Sequence, residues 1–325
     1  MMNILIVCSS VIPAKFYGGT ERVVWDLGKE FKKMGHNISF LANKGSYCDF
    51  AELTEINPEL PLNKQISDNI DIVHFNQPVK EEITKPYIVT IHGNGSKGEK
   101  FDKNTVFVSE NHAERHNSKS YVYNGLDWDN YEKPDFNSER KFFHFLGNAA
   151  WKVKNLRGAI KVCEKTGEKL AVIGGKRINT SMGLKISFSR NANFFGMLNN
   201  YEKIKILKLS KGFIFPVLWN EPFGLAITES MYYGCPVFGT PYGSLPELIK
   251  ENCGYLSKKS DEIAEKIKNA GSFNKKEISD YAQENFNSKK MAINYLEKYN
   301  KVLNGESLNS HYPEIKETDT KFIFE

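Results

Sequence analysis

No run of the chain approaches the roughly 18–20 apolar residues needed to cross a bilayer. The first residues, Met1 to Cys8, are apolar for only about six positions and lack the basic leader and cleavage site of a signal peptide. Cysteine is scarce and unpaired in pattern. Cys8, Cys48, Cys163, Cys235 and Cys253 are odd in number, scattered and without a C-x-x-C pair, which argues against a disulfide framework or a zinc site. Charge of one sign is also lacking, since 44 Lys and Arg against 39 Asp and Glu leave a net +5 over 325 residues. That excess is too small to argue for nucleic-acid binding. No G-x-S-x-G elbow or Walker loop is present, and His112-Ala-Glu-Arg-His116 lacks the H-E-x-x-H order of a zinc protease. A cytoplasmic protein with reduced thiols is the expectation.

What is present is enough for a sizeable core: 40% of residues are hydrophobic, and the length suits about two domains. Short apolar runs alternate with helix-length segments. Residues 3–8, 37–42, 71–75, 87–91, 105–108 and 121–123 read as strands of a first sheet. Residues 142–146, 170–173, 193–195, 213–217, 236–238 and 254–256 read as a second. Continuous apolar runs bounded by Gly, Asn or Pro suit strands buried on both faces, and their alternation with helices points to βαβ units. The expectation is an α/β chain of two doubly wound parallel sheets: residues 1–138, residues 139–290, and a helix and tail at 291–325 packing back on the first domain. The polar stretch 131–140 marks the boundary, and residues 276–303 carry helical spacing throughout.

Three segments could carry chemistry. In Tyr17-Gly18-Gly19-Thr20-Glu21-Arg22, two glycines precede a helix with Thr20 as its expected cap, so backbone N–H groups there could meet an anion. An ordinary capped turn would look the same. In Trp219-Asn220-Glu221-Pro222-Phe223-Gly224-Leu225, continuing to Glu229, Pro222 and Gly224 keep Glu221 in a loop while Glu229 lies about a turn inside a helix. Both carboxylates could then face a ligand draped over the helix start, whose N–H groups suit a diphosphate. In Gly147-Asn148-Ala149-Ala150-Trp151-Lys152-Val153-Lys154-Asn155, Lys152 or Lys154 is the cation to neutralise such a ligand; the other basic residues up to Arg177 read as a solvated face. Asp127-Trp128-Asp129 has the D-x-D form of a metal holder but sits in a turn. His112 and His116 read as part of a surface helix, and Ser244-Leu245-Pro246-Glu247 as a capping box.

Together these residues resemble the retaining family 4 glycosyltransferases of the GT-B fold (glycosyl transferases group 1 type). The stretch from Glu221-Pro222-Phe223-Gly224 to Glu229 is similar to the family's E-x7-E donor signature, followed by Tyr233-Gly234-Cys235-Pro236-Val237 and Gly243-Ser244-Leu245-Pro246-Glu247. Gly18-Gly19-Thr20-Glu21-Arg22 with Gly35-His36, then Thr90-Ile91-His92-Gly93, Val108-Ser109-Glu110 and Asn124-Gly125-Leu126-Asp127, fall in the family's order.

The resemblance implies two Rossmann-like domains facing a cleft. It also implies a nucleotide diphosphate sugar, UDP- or GDP-linked, as donor, and a glycan or lipid-linked glycan as acceptor. Glu221 would contact the transferred sugar, Glu229 the ribose, and Pro222, Phe223, Gly224 and Leu225 the sugar and diphosphate. His92 would sit over the sugar, Gly18 and Gly19 would line the diphosphate, and Thr20 and Glu21 the acceptor side. Where the family carries Gly-Arg, this chain has Gly147-Asn148, so the diphosphate falls to Lys154 with Lys152 or another basic residue. No metal or other cofactor is expected, and no nucleic acid.

The expected role is retaining transfer of a hexose or N-acetylhexosamine in polysaccharide or lipopolysaccharide biosynthesis, by a front-face route. Lys29, Lys32 and Lys33 are the features that would suit a peripheral contact with the inner face of the cell membrane. The alternatives are another GT-B enzyme, such as a sugar-nucleotide epimerase or phosphorylase, and a non-catalytic nucleotide-sugar-binding subunit, which Asn148 favours.

Overall fold

The computed structural model describes residues 1–14, 18–179, 185–186, 189–315 and 321–325. The chain divides into two compact units, Met1–Trp128 with Phe286–Thr318, and Asp129–Asn285 with Asp319–Glu325. The polar stretch 131–140 thus belongs to the second unit.

Unit 1 is built on β1 (Asn3–Cys8), β2 (Asn37–Ala42), β3 (Glu52–Glu55), β4 (Ile72–Phe75), β5 (Tyr87–Ile91) and β6 (Thr105–Phe107). They form one parallel sheet in the order β3-β2-β1-β4-β5-β6. β1 and β4 are almost wholly buried, as a strand covered on both faces requires. The helices are α1 (Gly19–Lys33), the short α2 (Glu110–Arg115) and, from the far end of the chain, α9 (Ser288–Leu303). A polar network docks α9. His74 on β4 hydrogen-bonds Tyr299 at 2.8 Å and Thr90 at 2.7 Å, and Thr90 meets Tyr295 at 2.9 Å. All four groups are buried, so each needs its partner.

Unit 2 repeats the plan with β7 (Phe142–Leu146), β8 (Leu170–Ile173), β11 (Ala192–Phe194), β12 (Ser210–Phe215), β13 (Val237–Gly239) and β14 (Gly254–Leu256). Their order, β11-β8-β7-β12-β13-β14, is again parallel throughout. A two-stranded antiparallel pair, β9 (Ile178–Asn179) and β10 (Lys185–Ile186), stands apart. The helices are α3 (Leu156–Thr166), α4 (Asn200–Lys208), α5 (Leu225–Tyr232), α6 (Leu245–Leu248), α7 (Ser260–Ile267) and α8 (Lys275–Asn285). Both units therefore carry the strand order of a dinucleotide-binding fold, whose ligands sit beyond the carboxyl ends of the strands. Among the described residues no helix is long and apolar enough to cross a membrane.

Four expectations are corrected. Residues 121–123 form no strand: Phe107 N–H donates to the Ser120 carbonyl and Val122 N–H to the Phe107 carbonyl, a single bridge, and the chain then packs on the start of α9, where a Cβ on Gly125 would lie 2.1 Å from the Asn287 carbonyl. The sixth strand is the exposed, polar β3, an edge strand without an apolar signal. The helical spacing of residues 276–303 is borne out by α8 and α9, which are separated where Leu126 pairs with the backbone at 286–288 and Asn287 caps α9 through Lys290 N–H. Thr20 is no cap: α1 starts at Gly19, with Gly18 before it and no side-chain bond at that end.

Nor is α2 a surface helix. Its His112 and the following His116 are fully buried, with the His116 ring stacked on Phe107 at 4.6 Å. Burial pushes both imidazoles below their ordinary range, so both are neutral at pH 7. Finally, Ser244 makes no capping box, because its hydroxyl donates to the Phe223 carbonyl at 2.6 Å.

Candidate functional site

In unit 2 the loops after β7, β8, β12 and β13 gather at the carboxyl end of the sheet. The loop after β7 holds Gly147, and Gly174, directly after β8, has φ +104 and a Cβ there would meet the Gly147 carbonyl at 2.3 Å. Asn148 lies in this loop, half-buried, with its side-chain oxygen accepting the Ala150 N–H at 3.0 Å. It therefore shapes the turn. Next, Asn155 adopts a left-handed conformation at φ 53, caps α3 through the Gly158 N–H, and donates to the Pro216 carbonyl at 2.8 Å. Leu218 N–H reaches the Val153 carbonyl at 2.7 Å. These bonds tie the lysine loop to the loop after β12.

The result is a buried ion pair. Lys154 and Glu221, 67 positions apart in the chain, are 7% and 6% exposed, and Lys154 Nζ lies 2.6 Å from Glu221 Oε2. The Trp219 indole Nε1–H donates to that same oxygen at 2.8 Å. Lys154 Nζ also sits 4.8 Å from the centre of the Trp219 ring and 5.2 Å from Phe215, cation–π contacts that replace water on its other sides. Trp151 packs edge-on against Trp219 and is partly exposed. No described residue hydrogen-bonds Glu221 Oε1. One oxygen is clamped by a cation and an indole; the other keeps its lone pairs for a donor hydroxyl.

Glu221 is fixed from the backbone side as well. Gly243 at φ +63 passes so close that a Cβ would fall 2.2 Å from Glu221 N, and Ser244 N–H donates to the Glu221 carbonyl at 2.9 Å. Gly224 at φ +90 then turns the chain into α5, while Pro222 and Phe223 are buried and Leu225 is half-buried. The first N–H groups of α5 have no intrahelical acceptor, which makes that end a favourable place for an anion.

The second carboxylate of the E-x7-E pair is placed otherwise. Glu229 lies inside α5, 2% exposed, with its carboxylate held by Lys203 of α4 and by the Tyr131 hydroxyl at 2.9 Å. Lys203 and Tyr131 carried no sequence signal beyond a lysine on the apolar side of a helix and a tyrosine in a polar stretch. Trp219 could have been singled out, because an indole two residues before a glutamate can reach it. Lys152 is exposed.

At the ends of β8 and β11, Gly175, Lys176, Arg177 and residues 193–196 line an open depression of about 500 Å³.

In unit 1, His92 follows β5. Its Nε2 is 3.0 Å from Asn76 Oδ1, and Asn76 Nδ2 donates to the Val7 carbonyl at 3.1 Å. The amide is thereby oriented with its oxygen toward the ring, so Nε2 is the donor and Nδ1 an acceptor. Nδ1 is buried without a partner among the described residues. Burial pushes the His92 pKa down to about 4, so the ring is neutral at pH 7.

Gly18 and Gly19 open α1, and the Glu21 carboxylate folds back on that end, where a Cβ on Gly18 would come 2.7 Å from Oε2. Thr20 stands in the first turn of α1, and Tyr17 lies outside the described residues. Asp127 of the D-x-D string pairs with Lys29 at 3.1 Å and Lys33 at 3.3 Å, which hold its carboxyl below the usual range against the effect of burial. Those contacts join the turn to α1.

Residues 127–285 match the family model of glycosyl transferases group 1. The matched residues span nearly all of the Asp129–Asn285 part of unit 2. D-rhamnosyltransferase WbpZ of Pseudomonas aeruginosa is 27% identical over 131 residues, which cover 37% of this chain and 34% of that relative's own length. Among solved structures, the chain resembles AviGT4, a glycosyltransferase of avilamycin A biosynthesis, with TM-score 0.77, 16% identity, and 94% of this chain and 99% of that one covered. It also resembles Anabaena HepE in complex with UDP-glucose, with TM-score 0.68, 13% identity, and 93% and 100% covered. The fold is that of GT-B glycosyltransferases. The E-x7-E pair, Lys154 and the Gly243 loop all lie inside the matched domain.

Proposed function

We propose that the chain is a retaining, metal-independent glycosyltransferase that moves a hexose or N-acetylhexosamine from a UDP- or GDP-linked sugar to a glycan or lipid-linked glycan. The observation that carries this reading is the buried Lys154–Glu221 pair beside the N-terminus of α5, with Glu221 Oε1 left open. The domain match and the sugar-nucleotide named for HepE support it, and the D-rhamnosyltransferase relative keeps deoxyhexoses within the donor class.

In this mechanism the bond between the anomeric carbon and the diphosphate breaks while the acceptor oxygen attacks from the same face. The acceptor proton passes to the leaving phosphate oxygen. Lys154, with Lys152 behind it, stabilises the charge that develops on the diphosphate, as does the start of α5. Glu221 Oε1 accepts a hydroxyl of the transferred sugar, and neutral His92 offers Nδ1 as a second acceptor. Gly18 and Gly19 line the diphosphate, Thr20 and Glu21 the acceptor side. Glu229 would reach the ribose once a nucleotide competes with Lys203 and Tyr131 for its carboxylate. Most of the rate then comes from positioning and fixed charge.

The test is turnover of UDP- and GDP-sugars with a panel of glycan acceptors, reading the product's anomeric configuration by NMR. Retention with a wild-type rate lost in Lys154→Ala is expected. Inversion, or donor conversion without an acceptor, would reject the mechanism.

A further inference from the structure

Residues 321–325 lie on unit 2, and their contacts converge on the site's supporting loops. Tyr242 Oη both donates to the Ile323 carbonyl and accepts its N–H, each at 3.0 Å, while the Phe322 ring stands edge-on to Tyr242 at 5.0 Å. The Phe324 ring lies over the first turn of α3, where a Cβ on Gly158 would meet it at 2.8 Å. Glu325 then pairs in strand fashion beside α7: its N–H donates to the Lys258 carbonyl at 2.9 Å, and its carbonyl accepts the Ser260 N–H at 2.6 Å. Gly158 thus has a reason to be glycine inside a helix that would otherwise prefer alanine.

The two anchor points matter because of what adjoins them. Tyr242 immediately precedes Gly243 and Ser244, the residues that brace the Glu221 backbone. Gly158 is the residue that Asn155 caps, directly after Lys154. We infer that the segment Phe322-Ile323-Phe324-Glu325 is a positioning strap for the Lys154–Glu221 pair, acting on Glu221 through Tyr242 and on the lysine loop through Gly158. Tyr242 and Phe324 are positioning residues. Neither touches the ion pair, and a buried hydroxyl satisfied by a single residue's N–H and carbonyl holds its ring in one place. The consequence for sugar transfer rests on the function proposed above; the coupling of strap to loop does not.

Hydrogen exchange read by mass spectrometry on the full chain tests the coupling without any substrate. Tyr242→Phe keeps the ring and removes both bonds to Ile323. Phe324→Ala empties the space over Gly158, and Phe324→Leu refills most of it. Amides of 219–221, 223, 224 and Ser244 should exchange at least about 5-fold faster in Tyr242→Phe, the effect of one of the two lost hydrogen bonds reaching the loop. Phe324→Ala should do the same in 152–158, with Phe324→Leu near wild type. Faster exchange confined to 321–325 and Tyr242, with 219–224 unchanged, would overturn the strap. If Phe324→Ala unfolds, Phe324→Leu and Tyr242→Phe still decide. A wild-type chain that shifts with no nucleotide while the exchange coupling holds would remove the proposed activity and leave the strap standing.

Discussion

The two units share one strand order, yet they crowd the loops at the sheet's carboxyl end to different degrees. In unit 2 those loops are wedged together: Gly174, Gly175, Gly239 and Gly243 each have a neighbour within 3 Å of where a Cβ would be. Unit 1 is mixed: Gly18 and Gly95 have a side-chain atom 2.7 Å from where a Cβ would be, while Gly45 and Gly93, after β2 and β5, have nothing within 4 Å. Charge follows the same division. Unit 2 buries both partners of the Lys154–Glu221 and Lys203–Glu229 pairs, whereas the buried Asp127 of unit 1 meets Lys29 and Lys33, which stay partly exposed. Buried pairs are stable only when geometry is held closely, because each ion has given up its water. The crowded glycines provide that hold.

The largest effect that could break this comparison is Gly243→Ala. A Cβ 2.2 Å from Glu221 N at a left-handed φ should cost about 3 kcal/mol, seen as a fall in thermal midpoint together with loss of nucleotide binding. A near-neutral result would mean that the loops of unit 2 are not wedged. Next comes acid. His74 in unit 1 and His144 in unit 2 are fully buried, and burial pushes each pKa from 6.5 to about 3. Each stays neutral in the fold and is protonated when unfolded, so its contribution is present above pH 6.5 and is lost as pH falls toward 3. Between pH 7 and 5 each should remove roughly 2 kcal/mol of stability. Thermal midpoints across that range, with His144→Asn flattening the slope for unit 2 and His74→Gln for unit 1, check the sign.

Lys154→Ala should lower kcat/KM at least ~10-fold, about 1.4 kcal/mol, while His92→Ala leaves the Kd for the bare nucleotide unchanged. Equal losses of nucleotide affinity would contradict the assignment of the donor to unit 2. Trp219→Phe keeps the ring under Lys154 and removes one donor to Glu221. A loss of about 1 kcal/mol in kcat/KM is expected, the worth of one hydrogen bond to a charged group. Smallest of all, Gly93→Ala should change stability by less than about 0.5 kcal/mol by urea unfolding.

Both sheets were legible because parallel strands buried on two faces read as unbroken apolar runs, as at residues 72–75 and 170–173. The exposed edge strand β3 was not, since Glu-Leu-Thr-Glu has no such run. Glu221 and Lys154 were legible as residue types in the right kind of loop, but their pairing was not. Nor was the interior position of Glu229, because nothing local announces that Lys203 and Tyr131 will reach it. The histidines of α2 showed the same gap: a helix four residues apart in histidine looks solvated until Phe101 and Phe107 close over it.

By itself, then, the sequence determined the βαβ alternation, the two-unit plan and the glutamate, lysine and glycine inventory of the site, all of which depend on neighbours a few positions apart. Only the tertiary structure decided which charges meet, which glycines have no room for a side chain, and that residues 322–325 rest on Tyr242 and Gly158. Those outcomes join positions tens of residues apart. They are set by the packing of whole strands and helices, which no local pattern of residue types encodes.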